Sequence, residues 1–390
     1  MAAVRFALSP RDGMFFKDGR GWYTSDSERG HAVPWPYPST LRGAIRTAWG
    51  RAVETAEGRI FTPDDWLERT KNITIGTVVA LRRARGEAWS PSHRMWPVPA
   101  DALCSGISRS VHRLDPIPRK IPTLGRGDDL AREALWRPDM PPGGKPEAAP
   151  AFWTDTELSD WLCDRPVLKL HAEEHETRSM TTRIDLRIGI DPELGTVSEG
   201  ALFATETVET LQRVGDDLFE WGIGIEAQLP EGGNGLARIF TLGSDRRLAT
   251  SEPLPEAVFA PPPSMDLRDT PGLRLIVVSP ACFSAGWLPD GFEVHGNEYR
   301  GHLAGVTSEV VLRAAFVPRA THVSGWDMAR RRPKRTRRLV PPGAVYFFQK
   351  TERAAFTANE MARLWLQAIG TQEDRDEGFG RVIAGPWETP

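Results

Sequence analysis

Near the C-terminal end, Gly378-Phe379-Gly380-Arg381 sets two glycines around an aromatic and follows them with an arginine. Glycine reaches backbone torsions barred to other residues, so amides there can approach a phosphate closely, and the guanidinium can add a charge-assisted bond. A lone GxG is equally the signature of a tight turn between a helix and a final strand, here Val382-Ile383-Ala384. A second anion site is suggested by Pro38-Ser39-Thr40-Leu41-Arg42-Gly43-Ala44-Ile45-Arg46, read as a helix start with Ser39 as N-cap. Free amides at a helix N-terminus attract anions, and Arg42 and Arg46 stand one turn apart on one face. A capped surface helix with a solvated basic face would look the same.

The steepest local charge is Arg330-Arg331-Arg332-Pro333-Lys334-Arg335-Thr336-Arg337-Arg338, just after Gly325-Trp326-Asp327. Such a block cannot be buried, and neutralising phosphates is its natural use, with a solvated loop as the plainer reading. Thr177-Arg178-Ser179-Met180-Thr181-Thr182-Arg183 leads into a hairpin whose turn is Asp191 to Gly195, placed between 183–190 and 201–205. A projecting hairpin of this kind, polar at its tip, suits wedging against an RNA or a neighbouring subunit, although an ordinary meander has the same pattern.

Catalytic chemistry finds less support. His171 and His175 have i, i+4 spacing among Glu173, Glu174 and Glu176, but this is not HExxH and no third ligand is evident. The other histidines, His31, His93, His112, His295, His302 and His322, form no pair readable from sequence. There is no GxSxG, no Walker A loop and no dinucleotide fingerprint. Cys104, Cys163 and Cys282 are odd in number and far apart, which suggests neither a disulfide framework nor a cysteine zinc site. We expect no catalysis, no metal and no cofactor. The first ten residues lack a signal-peptide pattern, and no apolar run approaches a membrane span, so a cytoplasmic protein without a membrane partner is expected. The net charge of −3 excludes generic coating of nucleic acid, because such proteins are basic overall. Any RNA must therefore follow a defined path of local cations.

The elements that must position these groups are mostly strands. Residues 3–9 alternate apolar and polar, 73–83 are β-branched, and strand-like pieces recur at 183–190, 200–206, 218–228, 236–242, 273–279, 309–317 and 344–349. A helix is expected over 357–369, with Thr357 as N-cap, Glu360 closing a capping box and Met361, Leu364, Trp365 and Ala368 on its apolar face. The Pro/Gly-dense stretch 137–150 reads as an insertion, and 250–271, with Pro261-Pro262-Pro263, as the linker. At 390 residues two domains are natural, 1–249 and 272–390. The fold class is α+β, with two ferredoxin-like (RRM-like) domains carrying insertions as the best compromise.

Taken in order, these pieces resemble the Cmr subunit three family of type III-B CRISPR–Cas effector complexes, within the RAMP superfamily. Asp12–Arg20 is similar to that family's first loop, and Pro38–Arg46 to its first helix. Gly189-Ile190-Asp191 through Glu199-Gly200-Ala201-Leu202-Phe203 is similar to its central hairpin. Gly325-Trp326-Asp327 with Pro341-Pro342-Gly343-Ala344-Val345-Tyr346-Phe347-Phe348 is similar to its most distinctive block, and Gly378–Arg381 to its glycine-rich loop. The insertion at 137–150 and the length of the Arg330–Arg338 block match nothing in that pattern. The resemblance implies a non-nuclease subunit that binds the repeat-derived 5′ tag of the CRISPR RNA. It also implies docking with the large polymerase-like subunit and the first backbone subunit at the foot of the complex, in antiviral defence. The implied RNA-contacting residues are Ser39, Thr40, Arg42, Arg46, Arg178, Arg183, Lys334, Arg335, Gly378, Phe379, Gly380 and Arg381. The competing expectation is a RAMP endoribonuclease that processes precursor CRISPR RNA, with His31 or His112 as acid or base.

Overall fold

The structure is a computed structural model that describes residues 1–17, 29–105, 111–118, 134–141, 146–147, 151–163, 179–231, 235–327 and 332–390. Arg178, His171, His175, Arg330 and Arg331 lie outside these residues. Among them the chain is mixed α/β, with antiparallel sheets and few helices. It forms two compact units that are discontinuous in sequence: 1–89 with 180–254 and 322–337, and 90–179 with 255–321 and 338–390. This partition cuts across a contiguous split at 1–249 and 272–390, because the middle of the chain and the cationic segment each belong to the unit that is distant in sequence.

The first unit is built on β1 (Ala2–Pro10), α1 (Pro38–Glu57), α2 (Pro63–Thr70), β2 (Thr74–Ala84), β3 (Thr182–Ile190), β4 (Val197–Val208), β5 (Asp217–Leu229), β6 (Ile239–Thr241) and β7 (Leu248–Pro253). Its sheet runs β2-β5-β1-β7-β6, every neighbour antiparallel. Alternation in β5 sends Ile223, Ile225 and Ala227 to one face, where they pack with Phe6 and Leu8 of β1 against Leu41, Ile45, Ala48 and Trp49 of α1. Each Leu, Ile or Phe fully buried there contributes about 1.5–3 kcal/mol, so this face holds α1 on the sheet. The helix ends at Gly58, whose φ of 63° is left-handed and whose N–H bonds to Glu54 O. Thr62 then caps α2 through a reciprocal box with Asp65, whose carboxyl is held below its ordinary range chiefly by the Thr62 N–H.

The second unit contains α3 (Asp155–Leu162), β8 (Gly272–Val277), β9 (Phe292–His295), β10 (Glu298–Gly301), β11 (Val310–Phe316), β12 (Val345–Lys350), α4 (Ala358–Arg363), β13 (Gln367–Ala368), α5 (Gln372–Asp376) and β14 (Arg381–Trp387). Its sheet order is β9-β10-β11-β12-β8-β14-β13. β8 and β12 are buried almost throughout, as their predominantly apolar runs require, with Arg274 the one charged residue inside β8. A buried ion pair sits under this unit: Asp101 Oδ2 lies 3.2 Å from Arg274 Nε, with Trp161 Nε1 donating to Asp101 Oδ1 at 3.0 Å. Burial pushes the Asp101 carboxyl up against the opposing pull of Arg274.

Two sequence expectations are corrected. The helix expected over 357–369 stops at Arg363: the Thr357–Glu360 box forms, but Leu366 turns to a φ of 56° and Gln367–Ala368 joins the edge of β14 instead. The stretch 250–271 is only in part a linker. Phe6 to Pro10 pair with Pro253 to Ala249, Leu254 N–H bonds to Arg5 O, and Val258 is fully buried in a short 3₁₀ turn, Glu256–Phe259.

Candidate nucleic-acid interface

The glycine-rich loop joins α5 to β14. Gly378 and Gly380 have φ of 91° and 72°, and Phe379 between them is fully buried. The turn is therefore one that glycine must make. Its amides, however, are already in use. Gly378 N–H bonds to Arg375 O, Phe379 N–H to Asp374 O and Gly380 N–H to Pro280 O, at 2.8–3.1 Å. Arg381 N–H donates to Ser279 Oγ at 2.9 Å, and that hydroxyl in turn donates to Gly378 O. Arg381 Nη1 reaches Leu366 O at 3.2 Å. Far from presenting amides to a phosphate, the loop ties the start of β14 to the end of β8 and to Ile369, whose N–H bonds to Gly380 O.

At the start of α1 the N-cap is Tyr37, not Ser39, and no side chain caps it. Pro38 takes the first helical position because its fixed φ suits that place, which moves Ser39 and Thr40 into the first turn. Both are part-exposed. Arg42 donates from Nε to Ile73 O at 2.7 Å and from Nη2 to Lys71 O at 3.0 Å. Arg46 donates from Nε to Thr70 Oγ1 at 2.9 Å. The pair do share a face, as their spacing requires, but that face braces the end of α2 and the entry to β2.

The hairpin is present as β3 and β4, antiparallel, with Asp191 closing its turn. Asp191 Oδ1 accepts from Leu194 N and Glu193 N, and these bonds hold its carboxyl below the usual range. Arg183 lies between Asp185 (2.6 Å) and Glu209 (2.5 Å). The Asp185 bond tightens its hold on its proton and keeps the Asp185 carboxyl low in return. Ile184, Leu186, Ile188 and Ile190 line the other face of β3 and are 51–75% exposed, with Leu202 and Val197 opposite them equally open. Contiguous apolar exposure of this kind marks an interaction surface, not a folding core.

Lys334 and Arg335 sit in a short ribbon in which Trp326–Asp327 pairs antiparallel with Arg332–Pro333. Arg332, Lys334 and Arg335 are exposed and make no ion pair among the described residues. Of the residues expected to contact RNA, Lys334 and Arg335 are thus cations without an ion pair among the described residues. By contrast, the sheet face of the first unit turned away from α1 carries ion pairs, Arg5 with Glu226 at 2.8 Å and Arg83 with Glu220 at 2.5 Å. Among the described residues, no exposed Phe, Tyr or Trp ring stands there for a base to stack on.

One further arrangement was invisible in sequence. His31 Nδ1 lies 3.4 Å from Glu206 Oε2, brought together from positions 175 apart only because residues 29–30 pair alongside β4. Trp326 was also missed as a site residue, since an aromatic in a strand usually goes inward. Among the described residues, no group of three or more His, Cys, Asp or Glu could hold a metal ion.

Set beside known proteins, residues 6–387 match the family model described as CRISPR-associated protein (Cas_Cmr3). No curated protein matches. Among solved structures, a chain of "Cryo-EM structure of the Type III-B Cmr-beta bound to cognate target RNA and AMPPnP, state 1" is similar at 12% identity. That similarity covers 88% of this chain and 86% of that one, with a TM-score of 0.42. A chain of the same assembly "bound to cognate target RNA" gives 12% identity, the same coverage and a TM-score of 0.41.

Proposed function

From membership of the Cas_Cmr3 family of CRISPR-associated proteins, to which this chain belongs, we propose that it is a non-catalytic, RNA-binding subunit of a type III-B effector complex. In this reading it holds the repeat-derived 5′ tag of the CRISPR RNA and docks the large polymerase-like subunit and the first backbone subunit. The observation that carries the RNA contact is the ribbon, where Arg332, Lys334 and Arg335 are exposed and make no ion pair among the described residues, in a chain of net charge −3. Cations that satisfy nothing within the fold are available to phosphates. Lys334 and Arg335 therefore fit RNA contact best among the residues singled out. Ser39 and Thr40 follow, at an α1 start that no side chain caps. Arg42, Arg46, Arg183 and Arg381 make intramolecular bonds that a phosphate contact would have to share or displace.

Each unit fits a ferredoxin-like domain with insertions. Numbering the four central strands along the chain, both sheets run 2-3-1-4 with antiparallel neighbours: β2-β5-β1-β7 and β11-β12-β8-β14. That is the order of a split βαβ repeated. The first unit keeps its helix after the first strand (α1), and the second keeps helices after the third (α4 and α5). The exposed apolar face of β3 suits a neighbouring protein subunit or the RNA it carries.

The test is guide retention in the assembled complex. Replacing Arg332, Lys334 and Arg335 by Ala should weaken guide binding and reduce the salt slope by about 2, at roughly 0.7 per phosphate neutralised on a single strand. If tagged and untagged guides bound equally well, tag recognition by this subunit would be wrong. The His31–Glu206 pair favours a second reading, a RAMP endoribonuclease, because a carboxylate beside an imidazole is one half of an acid–base pair. Metal-independent cleavage of repeat RNA that disappears in His31→Ala would establish that reading against the first.

A further inference from the structure

Most of the chain's large aromatics are consumed by the cores: Trp96, Trp153, Trp221 and Trp387 are each less than 2% exposed. Trp326 is the one aromatic ring among the exposed large hydrophobic side chains of the described residues, at 56%. It makes no ring, cation–π or hydrogen-bond contact among them. A tryptophan left in water on a ribbon two residues long adds little to folding, so its surroundings must explain it.

Those surroundings are specific. Trp326 stands directly opposite Pro333, so both project from one face of the ribbon. Side chains alternate along a strand, which puts Arg332 and Lys334 on the opposite face, about 6.6 Å apart at roughly 3.3 Å per residue. The ribbon is held by Lys334 N–H to Gly325 O at 2.7 Å and by Ser324 Oγ to Lys334 O at 3.1 Å. A Cβ at Gly325 would meet Lys334 Cδ at 3.4 Å, so the lysine stem lies over that glycine. From 328 to 343 there is no acidic residue.

We propose that Trp326 is a base-stacking platform for single-stranded RNA. A nucleotide passing the ribbon edge lays its base on the Trp326–Pro333 face while its flanking phosphates meet Arg332, Lys334 and Arg335. The two-residue spacing of the cations is close to the step between phosphates of an extended strand. Every base has a π-face, so the platform adds affinity without reading sequence. Asp327 stands opposite Arg332 in register, but the run from 328 to 343 carries cations and no acid. Such a run suits a phosphate chain better than a protein surface, where a Trp–Arg hot spot would need a complementary acidic patch. The proposal rests on the RNA-binding reading above and deepens it, since it names the residue that takes the base.

The test uses the assembled complex and a guide RNA carrying 4-thiouridine at single positions through its tag. Three variants are compared: Trp326→Ala, Trp326→Phe, and the Ala triple at Arg332, Lys334 and Arg335. We expect Trp326→Ala to weaken guide binding roughly tenfold with an unchanged salt slope, and to abolish one position-specific crosslink; Trp326→Phe should retain most of both. The thermal midpoint should stay close to the wild-type value in Trp326→Ala, because the ring is mostly exposed. If the triple variant lowers affinity and salt slope while Trp326→Ala binds and crosslinks like wild type, stacking is wrong but RNA binding stands. If neither variant alters guide binding, the RNA reading itself fails. Loss of a protein subunit from the Trp326→Ala complex, with guide affinity unchanged in what remains, would make the ring a protein contact and overturn the proposal.

Discussion

Replacing Gly380 by Ala separates a structural tie from an RNA grip. The residue has a φ of 72°, where an L-residue costs about 1–2 kcal/mol. A Cβ there would come 2.1 Å from Ile369 O and 3.2 Å from Ile369 C, both backbone atoms that cannot swing aside. Relief requires Ile369 and Gly380 to part, which stretches the bonds from Ile369 N–H to Gly380 O and from Gly380 N–H to Pro280 O. At a net ~0.5–1.5 kcal/mol each, these bring the expected loss to about 3 kcal/mol. For a unit of this size that is roughly 6–12 °C in thermal midpoint. Gly296, in the turn between β9 and β10, is the control: its φ is 64° but nothing lies within 4 Å of its Cβ position, so Gly296→Ala should cost about 1 kcal/mol. Differential scanning calorimetry on the two variants measures the difference. Equal midpoints would refute the close-approach argument. A Gly380→Ala protein as stable as the control yet unable to hold tagged guide would return the loop to direct RNA contact.

Three further outcomes follow from the geometry. Arg42→Ala should destabilise the first unit by about 1.5–3 kcal/mol, since it leaves Ile73 O and Lys71 O without their charged donor; a phosphate contact alone would leave the urea midpoint unmoved. Leu186→Ser with Ile188→Ser should change stability by no more than about 0.5 kcal/mol each, because both side chains are exposed, while weakening assembly in a pull-down with partner subunits. Burial pushes the Glu360 carboxyl up, but the Thr357 N–H and the Lys350 ammonium outweigh it and hold the group below its ordinary 4.5. A depressed folded-state value means stability that is present above 4.5 and lost as pH falls through the lower folded value. The gap in thermal midpoint between wild type and Glu360→Gln should therefore be widest near neutrality and narrow as pH falls below 4.5; a gap independent of pH would show the ion pair to be inert.

Periodicity located the strands well because each face of a strand is buried or open as a unit. β1, β2, β8, β11 and β12 all begin and end within about two residues of the runs read from alternation or β-branching. Helix length was less legible. Met361, Leu364, Trp365 and Ala368 share a helical spacing, yet Ala368 is needed at the edge of β14, and a left-handed Leu366 is the local cost of delivering it there. The candidate site divided along the same line. Residue type and spacing placed Arg42 beside Arg46 and made Gly378–Arg381 a turn, since both are local facts. Whether a cation is spent inside the fold is a long-range fact: Arg42 finds carbonyls 29 and 31 residues away, and Arg183 finds Glu209 26 residues on. Lys334 and Arg335 make no ion pair among the described residues, and the sequence has no acid between 328 and 343. For a phosphate partner, the cations that matter are those that folding leaves unmatched and that the sequence clusters, as at Arg332, Lys334 and Arg335. The ribbon carries three such cations within four residues, whereas the glycine-rich loop ties the start of β14 to the end of β8.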